Sequence, residues 1–401
     1  MIQNVNKDAK STSRNTLVIS PTFPYPITTG NRARIYELLL NLKKIGHDVY
    51  FLYINTEPFD EGQMGRNSWS EETFIAPYRP PHKTLVKRIT RKIKRILGQE
   101  SAFLYSIDSW YDNSLDSFLM HLSKKIKFDV VIVEYVFFSK ALDCFGADVL
   151  KIIDTHDIYT NRHRIYLKNH QNPHWYSTTE ANEAKGLNRA DVIIAIQQKE
   201  KDFFSRITEK KVILVGHNVA LHEPMPRYSI DKAIVFVGST TPMNVQGIIF
   251  FVNDVLPKIR EHFPILNLIL TGSICDVVDN FDHCIKLGRV ENLKSVYDKA
   301  NVVINPISYG TGLKIKTIEA LGYGKPLVTT SIGAEGLENG INQAFLVADT
   351  AESFAQAVIN VLSDPTFANN LSRNAYDFAK AWNEASIREL KNVLFNGEIT
   401  P

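Results

Sequence analysis

Short uninterrupted runs of valine, isoleucine and leucine recur along the chain, each separated from the next by a loop and a stretch of helical spacing. They are "TLVIS" (Thr16–Ser20), "HDVYFLYI" (His47–Ile54), "FDVVIVEYV" (Phe128–Val136), "DVLKIIDTHD" (Asp148–Asp157), "ADVIIAIQ" (Ala190–Gln197) and "KKVILVGHNV" (Lys210–Val219). Runs that do not alternate with polar residues suit strands covered on both faces, which is the condition of a parallel sheet. Between the first two, "NRARIYELLLNLKKIG" places Ile35, Leu38, Leu39 and Leu42 on one helical face and stops at Gly46. The opening is therefore a βαβ unit. "ALHEPMPRYSIDK" (Ala220–Lys232) has two prolines and no apolar period, and reads as a linker. A second series follows: "AIVFVGS", a helix from about Asn244 to His262, "LNLILTG", "CIKLGRV", "NVVINPI", "KPLVTT" and "QAFLVAD". The expected architecture is α/β, two Rossmann-like domains with parallel sheets facing across a cleft. Residues 1–15 form a flexible tail, 16–219 the first domain, 220–232 the linker and 233–379 the second domain. The end of the chain, Asn374–Phe395, reads as two helices, the last of which (about 380–397) is free to pack back on the first domain.

Strand ends should carry the chemistry. In "YGTGLKIKTIEALGYGKPLVTT" (Tyr309–Thr330), four glycines and three lysines surround one carboxylate, Glu319. A glycine-rich turn that opens a helix exposes backbone N–H groups able to hold phosphate, and a carboxylate one turn on needs a hydroxyl partner. Lys314 and Lys316 are two apart on a helix, so one should face the phosphates and the other solvent. Lys316, three residues before Glu319, shares its face and is the better phosphate ligand. Gly30, at the end of the proline-rich loop Pro21–Gly30, lets backbone approach a ligand at a helix N-terminus.

The pattern from Gly310 to Leu337, ending "GAEGL", resembles the donor-binding region of retaining GT-B glycosyltransferases of group 1, a family that includes many bacterial surface-polysaccharide enzymes. The Thr29-Gly30-Asn31 loop, the Asp154-Thr155-His156-Asp157 segment, the stretch near Val219 and "FVGS" agree with it, so the likeness covers nearly the whole chain. It implies a GT-B fold with an acceptor domain first and a nucleotide-sugar donor domain second. It also implies transfer from a nucleotide diphosphate sugar to a lipid-linked or growing glycan acceptor, with retention. Glu319 matches the family's second glutamate, which binds the ribose hydroxyls, and a carboxylate suits a vicinal diol. Gly310, Thr311, Gly312, Leu313, Lys314 and Lys316 complete the donor loop, and His156 matches the cleft histidine, the catalytic candidate. Two positions depart from the pattern. The family's first glutamate falls on Thr311, and the arginine and lysine that follow "FVGS" in many relatives are replaced by Ser239 and Asn244. These departures keep a non-catalytic GT-B scaffold open beside the enzyme, as the fold keeps open an epimerase or a phosphorylase. No Asp-x-Asp pair stands at a strand end, so no metal or other cofactor is expected.

"HKTLVKRITRKIKRILG" (His82–Gly98) carries seven Lys/Arg and no acid, with Leu85, Ile89, Ile93 and Ile96 along one stripe. That is the pattern of a helix lying on anionic lipid through Lys87, Arg88, Arg91, Lys92, Lys94 and Arg95. The bland alternative is a stripe packed on the first domain. A net charge of +3 and a segment without aromatics argue against nucleic acid. No segment has the ~18 apolar residues that span a bilayer, the N-terminus lacks a signal core, and Cys144, Cys275 and Cys284 read as buried hydrophobes of a reducing compartment. The expected location is cytoplasmic, peripheral on the inner face of the cell membrane.

Overall fold

The structure, a computed structural model of the 401-residue chain, describes residues 13–27, 29–57, 69–80, 85–173, 175–224 and 232–396, without the side chains of 85–88 and 396. Most of the expected tail and of the linker core thus lie outside the described residues. Among the described residues the first half folds around seven strands: β1 (Asn15–Ser20), β2 (Asp48–Asn55), β3 (Glu72–Pro77), β4 (Val130–Glu134), β5 (Leu150–Asp154), β6 (Val192–Ala195) and β7 (Lys211–Leu214). The second uses β8 (Ala233–Val237), β9 (Asn267–Thr271), β10 (Cys284–Lys286), β11 (Val302–Asn305), β12 (Leu327–Thr329) and β13 (Leu346–Val347). The orders are β3-β2-β1-β4-β5-β6-β7 and β10-β9-β8-β11-β12-β13, and every pairing is parallel. Both sheets reverse direction of growth once, between β1 and β4 and between β8 and β11. Ligands of open α/β sheets sit outside the carboxyl ends of the strands at such points.

The apolar runs behave as their composition demands. Val130, Val131, Ile132 and Val133 are all fully buried, and alternate residues enter two different clusters, one on each face of the sheet. The helix Gly30–Lys44 buries Ile35, Leu38, Leu39 and Leu42, and Gly46 follows it at φ +98°, where a residue with a side chain would be strained.

Three expectations change. The C-terminal segment is one helix, Pro365–Asn396, rather than two. Leu371 packs in the second half, and Ala375 and Ala379 pack between β8, β11 and Phe345. Leu390, Val393 and Leu394 pack beside β1 and the Gly30–Lys44 helix. Trp382 Nε1 donates to the His217 carbonyl at 2.9 Å where the helix passes from one half to the other. The three cysteines are half-buried and unpaired. The expected helix from Asn244 onward runs as Pro242–Phe250, a π turn Phe251–Val255 and Leu256–Arg260.

The basic helix forms over Leu85–Ile96. Its isoleucines do not pack on the domain: Ile89, Ile93 and Ile96 are 54%, 50% and 75% exposed, and Leu97 beside them 64%. Arg91 corrects the proposed lipid-facing set. Its guanidinium turns inward, donating to the carbonyls of Ala102 at 2.6 Å and Leu104 at 2.7 Å and lying 3.9 Å from the Tyr105 ring centre. Lys92 and Arg95 are exposed and Lys94 half-buried, while the side chains of Lys87 and Arg88 lie outside the described residues.

Candidate active site

The glycine turn after β11 is built for close approach. Gly310 and Gly312 hold φ +135° and +73°, and a Cβ on Gly312 would lie 3.7 Å from the Asp157 carboxyl carbon. Lys314 ends the turn as the residue before the helix Ile315–Gly322, and Lys316 sits on the helix itself, so helical spacing does not relate the two lysines. Neither faces solvent, which corrects the expectation that one would. Lys314 Nζ is buried, donating to the Gly312 carbonyl at 2.5 Å and pairing with Glu335 at 3.4 Å. Lys316 donates to Asn244 Oδ1 and lies 5.0 Å from the Phe236 ring centre. Asn244 Nδ2 in turn donates to Ser239, to the carbonyl at 3.0 Å and to Oγ at 3.1 Å. The three polar residues expected at the phosphates, on three different elements, thus form one chain at the switch point.

Glu319 stands next along the helix. It accepts from the Tyr297 hydroxyl at 3.0 Å, and Tyr297 is the first ring of a stack that continues through Tyr323 at 4.3 Å to His222 at 4.4 Å. Burial pushes the Glu319 carboxyl up to about 7, against the pull of Tyr297 and Lys316. Burial and the charge of Lys314 push Lys316 down to about 7, against the pull of Glu319. Burial thus leaves a carboxylate and an ammonium side by side near neutrality, where any added charge or hydrogen bond shifts both. Leu313 is buried in an apolar cluster that also takes in Ile196 and Val219 of the facing half.

The facing strand ends carry a second network. His156 adopts φ +63° and Tyr135 φ +70°, both in the left-handed region, and their rings stack at 4.2 Å. His156 Nε2 lies 2.5 Å from Oε2 of the fully buried Glu134, so the ring is held through that nitrogen. Tyr135 Oη accepts from Asn31 Nδ2 at 3.1 Å, fixing the Thr29-Gly30-Asn31 loop, and the Ile315 side chain lies against one side of the exposed Gly30, 3.0 Å from where a Cβ would stand. Beneath them Arg34 holds Asp154 through Nε at 2.9 Å and Nη2 at 2.7 Å. Glu134, Asp154 and His156 are spaced as metal ligands could be. Arg34 pairs with Asp154 and His156 with Glu134, so each carboxylate of the cluster already has a hydrogen-bonded partner, and the cluster orients the His156 ring. Burial raises the Glu134 carboxyl, with Asp154 adding to the effect, and pushes His217 nearby down to about 3.

The halves meet at Thr311. Its hydroxyl donates to Asp157 Oδ2 at 2.8 Å, an oxygen that also pairs with Arg162 Nε at 3.1 Å. Where the resemblance expects a glutamate from the second half, a carboxylate arrives from the first. Lys199 and Glu335 make a second crossing at 2.6 Å. Sequence reasoning missed Glu134, Tyr135, Arg34, Tyr297 and Glu335. Of these, Glu134, an acid ending an otherwise apolar strand, and Glu335, inside the "GAEGL" stretch, carried a signal that could have found them.

Known proteins resemble the chain in the same sense. Residues 231–364 match the family described as glycosyl transferases group 1. A Klebsiella pneumoniae protein described as an uncharacterized 44.6 kDa protein in the cps region is 24% identical over 398 residues, covering 90% of this chain and 94% of its own. Sucrose-phosphate synthase from Thermosynechococcus elongatus superposes with a TM-score of 0.69 at 16% identity, over 96% of this chain and 100% of its own. The pneumococcal O-GlcNAc transferase GtfA, solved in complex with UDP and GlcNAc, superposes with a TM-score of 0.65 at 10% identity, over 95% and 98%. The two sheets and their switch points are those of the GT-B fold.

Proposed function

We propose that this glycosyltransferase, with its group 1 domain at residues 231–364 and a GT-B fold throughout, takes its sugar from a nucleoside diphosphate donor held in the second half. The observation that carries this reading is the line Ser239–Asn244–Lys316–Glu319 along one switch point. It offers polar and cationic groups for a diphosphate and, one helical turn on, a carboxylate for a ribose diol. GtfA, similar in fold, is described in complex with UDP and GlcNAc, which supports the same class of donor. The donor sugar then lies between the Gly310–Leu313 turn and His156, whose Nδ1 meets a sugar hydroxyl while Glu134 holds the ring. The leaving diphosphate develops charge beside Lys316 and the first turn of the Pro242–Phe250 helix, which stabilise it. Anomeric configuration is retained, the departing phosphate helping to take the acceptor proton, and no step is assigned to a metal.

The acceptor is a glycan, lipid-linked or growing, consistent with the similar Klebsiella protein of a cps region. The exposed isoleucines and flanking cations of Leu85–Ile96 support the reading that the enzyme works on an anionic membrane surface at the cytoplasmic side. Calorimetry with uridine and other nucleoside diphosphates tests the donor site. Wild-type protein binds one of them, and Glu319→Ala weakens it by about 1.5–3 kcal/mol, roughly 10- to 150-fold. An unchanged dissociation constant removes Glu319 from the site.

A further inference from the structure

Away from the donor line, a cavity of about 340 Å³ opens in the first half, lined by Arg95, Phe103, Tyr105, Trp110, Pro173 and Trp175. Its volume is that of a small-molecule site, about 300–1,000 Å³. Trp110 meets Tyr105 edge-on at 5.6 Å and Trp175 at 5.7 Å, so the rings form a corner rather than a closed stack. Trp175 is 45% exposed and sits at φ +150°, a backbone region that side-chain-bearing residues rarely enter. Arg91 pins Tyr105 from behind, and the Arg95 guanidinium stands at the rim, 5.2 Å from the Phe103 ring centre. Among the described residues the lining has aromatic faces and a guanidinium but no carboxylate.

We propose that this cavity is a sugar subsite, holding a unit of the acceptor glycan distal to the one that reacts. A sugar ring has an apolar C–H face and a rim of hydroxyls. Indole and phenol faces take the first, and the five fixed N–H donors of a guanidinium take the second. Position supports the assignment. Trp110 meets Phe137 at 5.3 Å, Phe137 stacks on Tyr135 at 5.2 Å, and Tyr135 stacks on His156 at 4.2 Å. The cavity and the cleft are thus two ends of one aromatic layer whose middle rings, Phe137 and Tyr135, are buried, so the layer fixes the two sites relative to each other and an acceptor chain would pass over it. Arg95 also belongs to the helix whose isoleucines are exposed, so the subsite adjoins the surface from which a lipid-linked glycan would be presented. The subsite rests on the glycan-acceptor reading above, and the donor line takes no part in it.

Saturation-transfer NMR and tryptophan fluorescence on the full chain test it, using methyl glycosides of glucose, galactose, mannose and glucuronic acid. Trp69 and Trp382 are covered or bonded within the fold, so the fluorescence response reports Trp110 and Trp175. At least one glycoside should bind with a dissociation constant of about 1–10 mM. Trp175→Ala should weaken it by about tenfold or more and Arg95→Gln by several-fold. Nucleoside diphosphate binding, measured on the same samples, should be unchanged in both variants and shows that they are folded. If no glycoside binds wild-type protein while the nucleotide does, the subsite is overturned. The same holds if binding ignores both substitutions. Sugar binding without any nucleotide binding would leave the cavity a sugar site and sink the donor reading instead.

Discussion

Lys316 and Glu319 are where a pH dependence should show. With its ordinary value brought down to about 7, Lys316 in the empty site loses its proton above neutrality, and a diphosphate must then bind together with a proton. Affinity for the nucleoside diphosphate should therefore fall as pH rises from 7 to 9, by up to about tenfold per unit until the bound-state value is reached. Lys316→Ala should bind more weakly at pH 7 and show a flat profile above it. Glu319 works in the opposite sense. Raised to about 7, it is protonated below neutrality and loses its capacity as a double acceptor, so binding of the nucleoside alone should weaken on acidification, and Glu319→Gln should remove that limb. Calorimetry across pH 5.5–9 separates the two. A steep alkaline fall that survives Lys316→Ala would assign it to another group. The sequence placed these two residues correctly on one face because they lie three apart on one helix. It misplaced Lys314, since a residue that ends a turn does not follow helical spacing.

At the scale of the element, the basic helix separates two kinds of arginine and lysine that the sequence could not tell apart. Arg91 closes on two carbonyls and a ring, whereas Lys92 and Lys94 flank exposed isoleucines. Lys92→Gln with Lys94→Gln should reduce sedimentation with phosphatidylserine vesicles by about 2 kcal/mol, roughly 30-fold, at about 1 kcal/mol per charge, and added salt should mimic the loss. Ile93→Ser with Ile96→Ser should also release the protein from vesicles with little change in melting temperature, because neither side chain packs in a core. Arg91→Gln should do the reverse, lowering stability by about 1.5–3 kcal/mol as charged hydrogen bonds are lost. Wild-type protein that ignores acidic vesicles at low salt would return the helix to a solvated face. The charge run and the stripe of period 3.6 were legible because both are properties of a single helix. Which cation turned inward was not, because Arg91's partners are carbonyls of a following segment.

For the whole molecule, the contact between Thr311 and Asp157 makes the cleft a two-part site. Thr311→Glu, which restores the residue expected from the resemblance, should set two carboxylates against each other and disfavour the closed arrangement by about 1–3 kcal/mol. The readout is a roughly 5- to 150-fold drop in donor hydrolysis, recovered when Asp157→Asn is added. A Thr311→Glu variant as active as wild type would show that the contact does not matter to turnover. Sequence alone determined the strands other than β3 (Glu72–Pro77), their parallel pairing into two Rossmann-like halves, the glycine turn and the Glu319 face, since all of these follow from spacing within one element or between adjacent ones. Tertiary structure decided the rest. Arg34 meets Asp154, Thr311 meets Asp157, Lys199 meets Glu335, and Trp110 joins Tyr105 and Trp175 around a cavity. The arginine, threonine and lysine pairs join residues more than a hundred positions apart. A residue's spacing encodes which face of its own helix or strand it occupies. What that face meets is set by the order in which distant strands enter the sheets and by how the two halves close, and no periodicity within the chain records either.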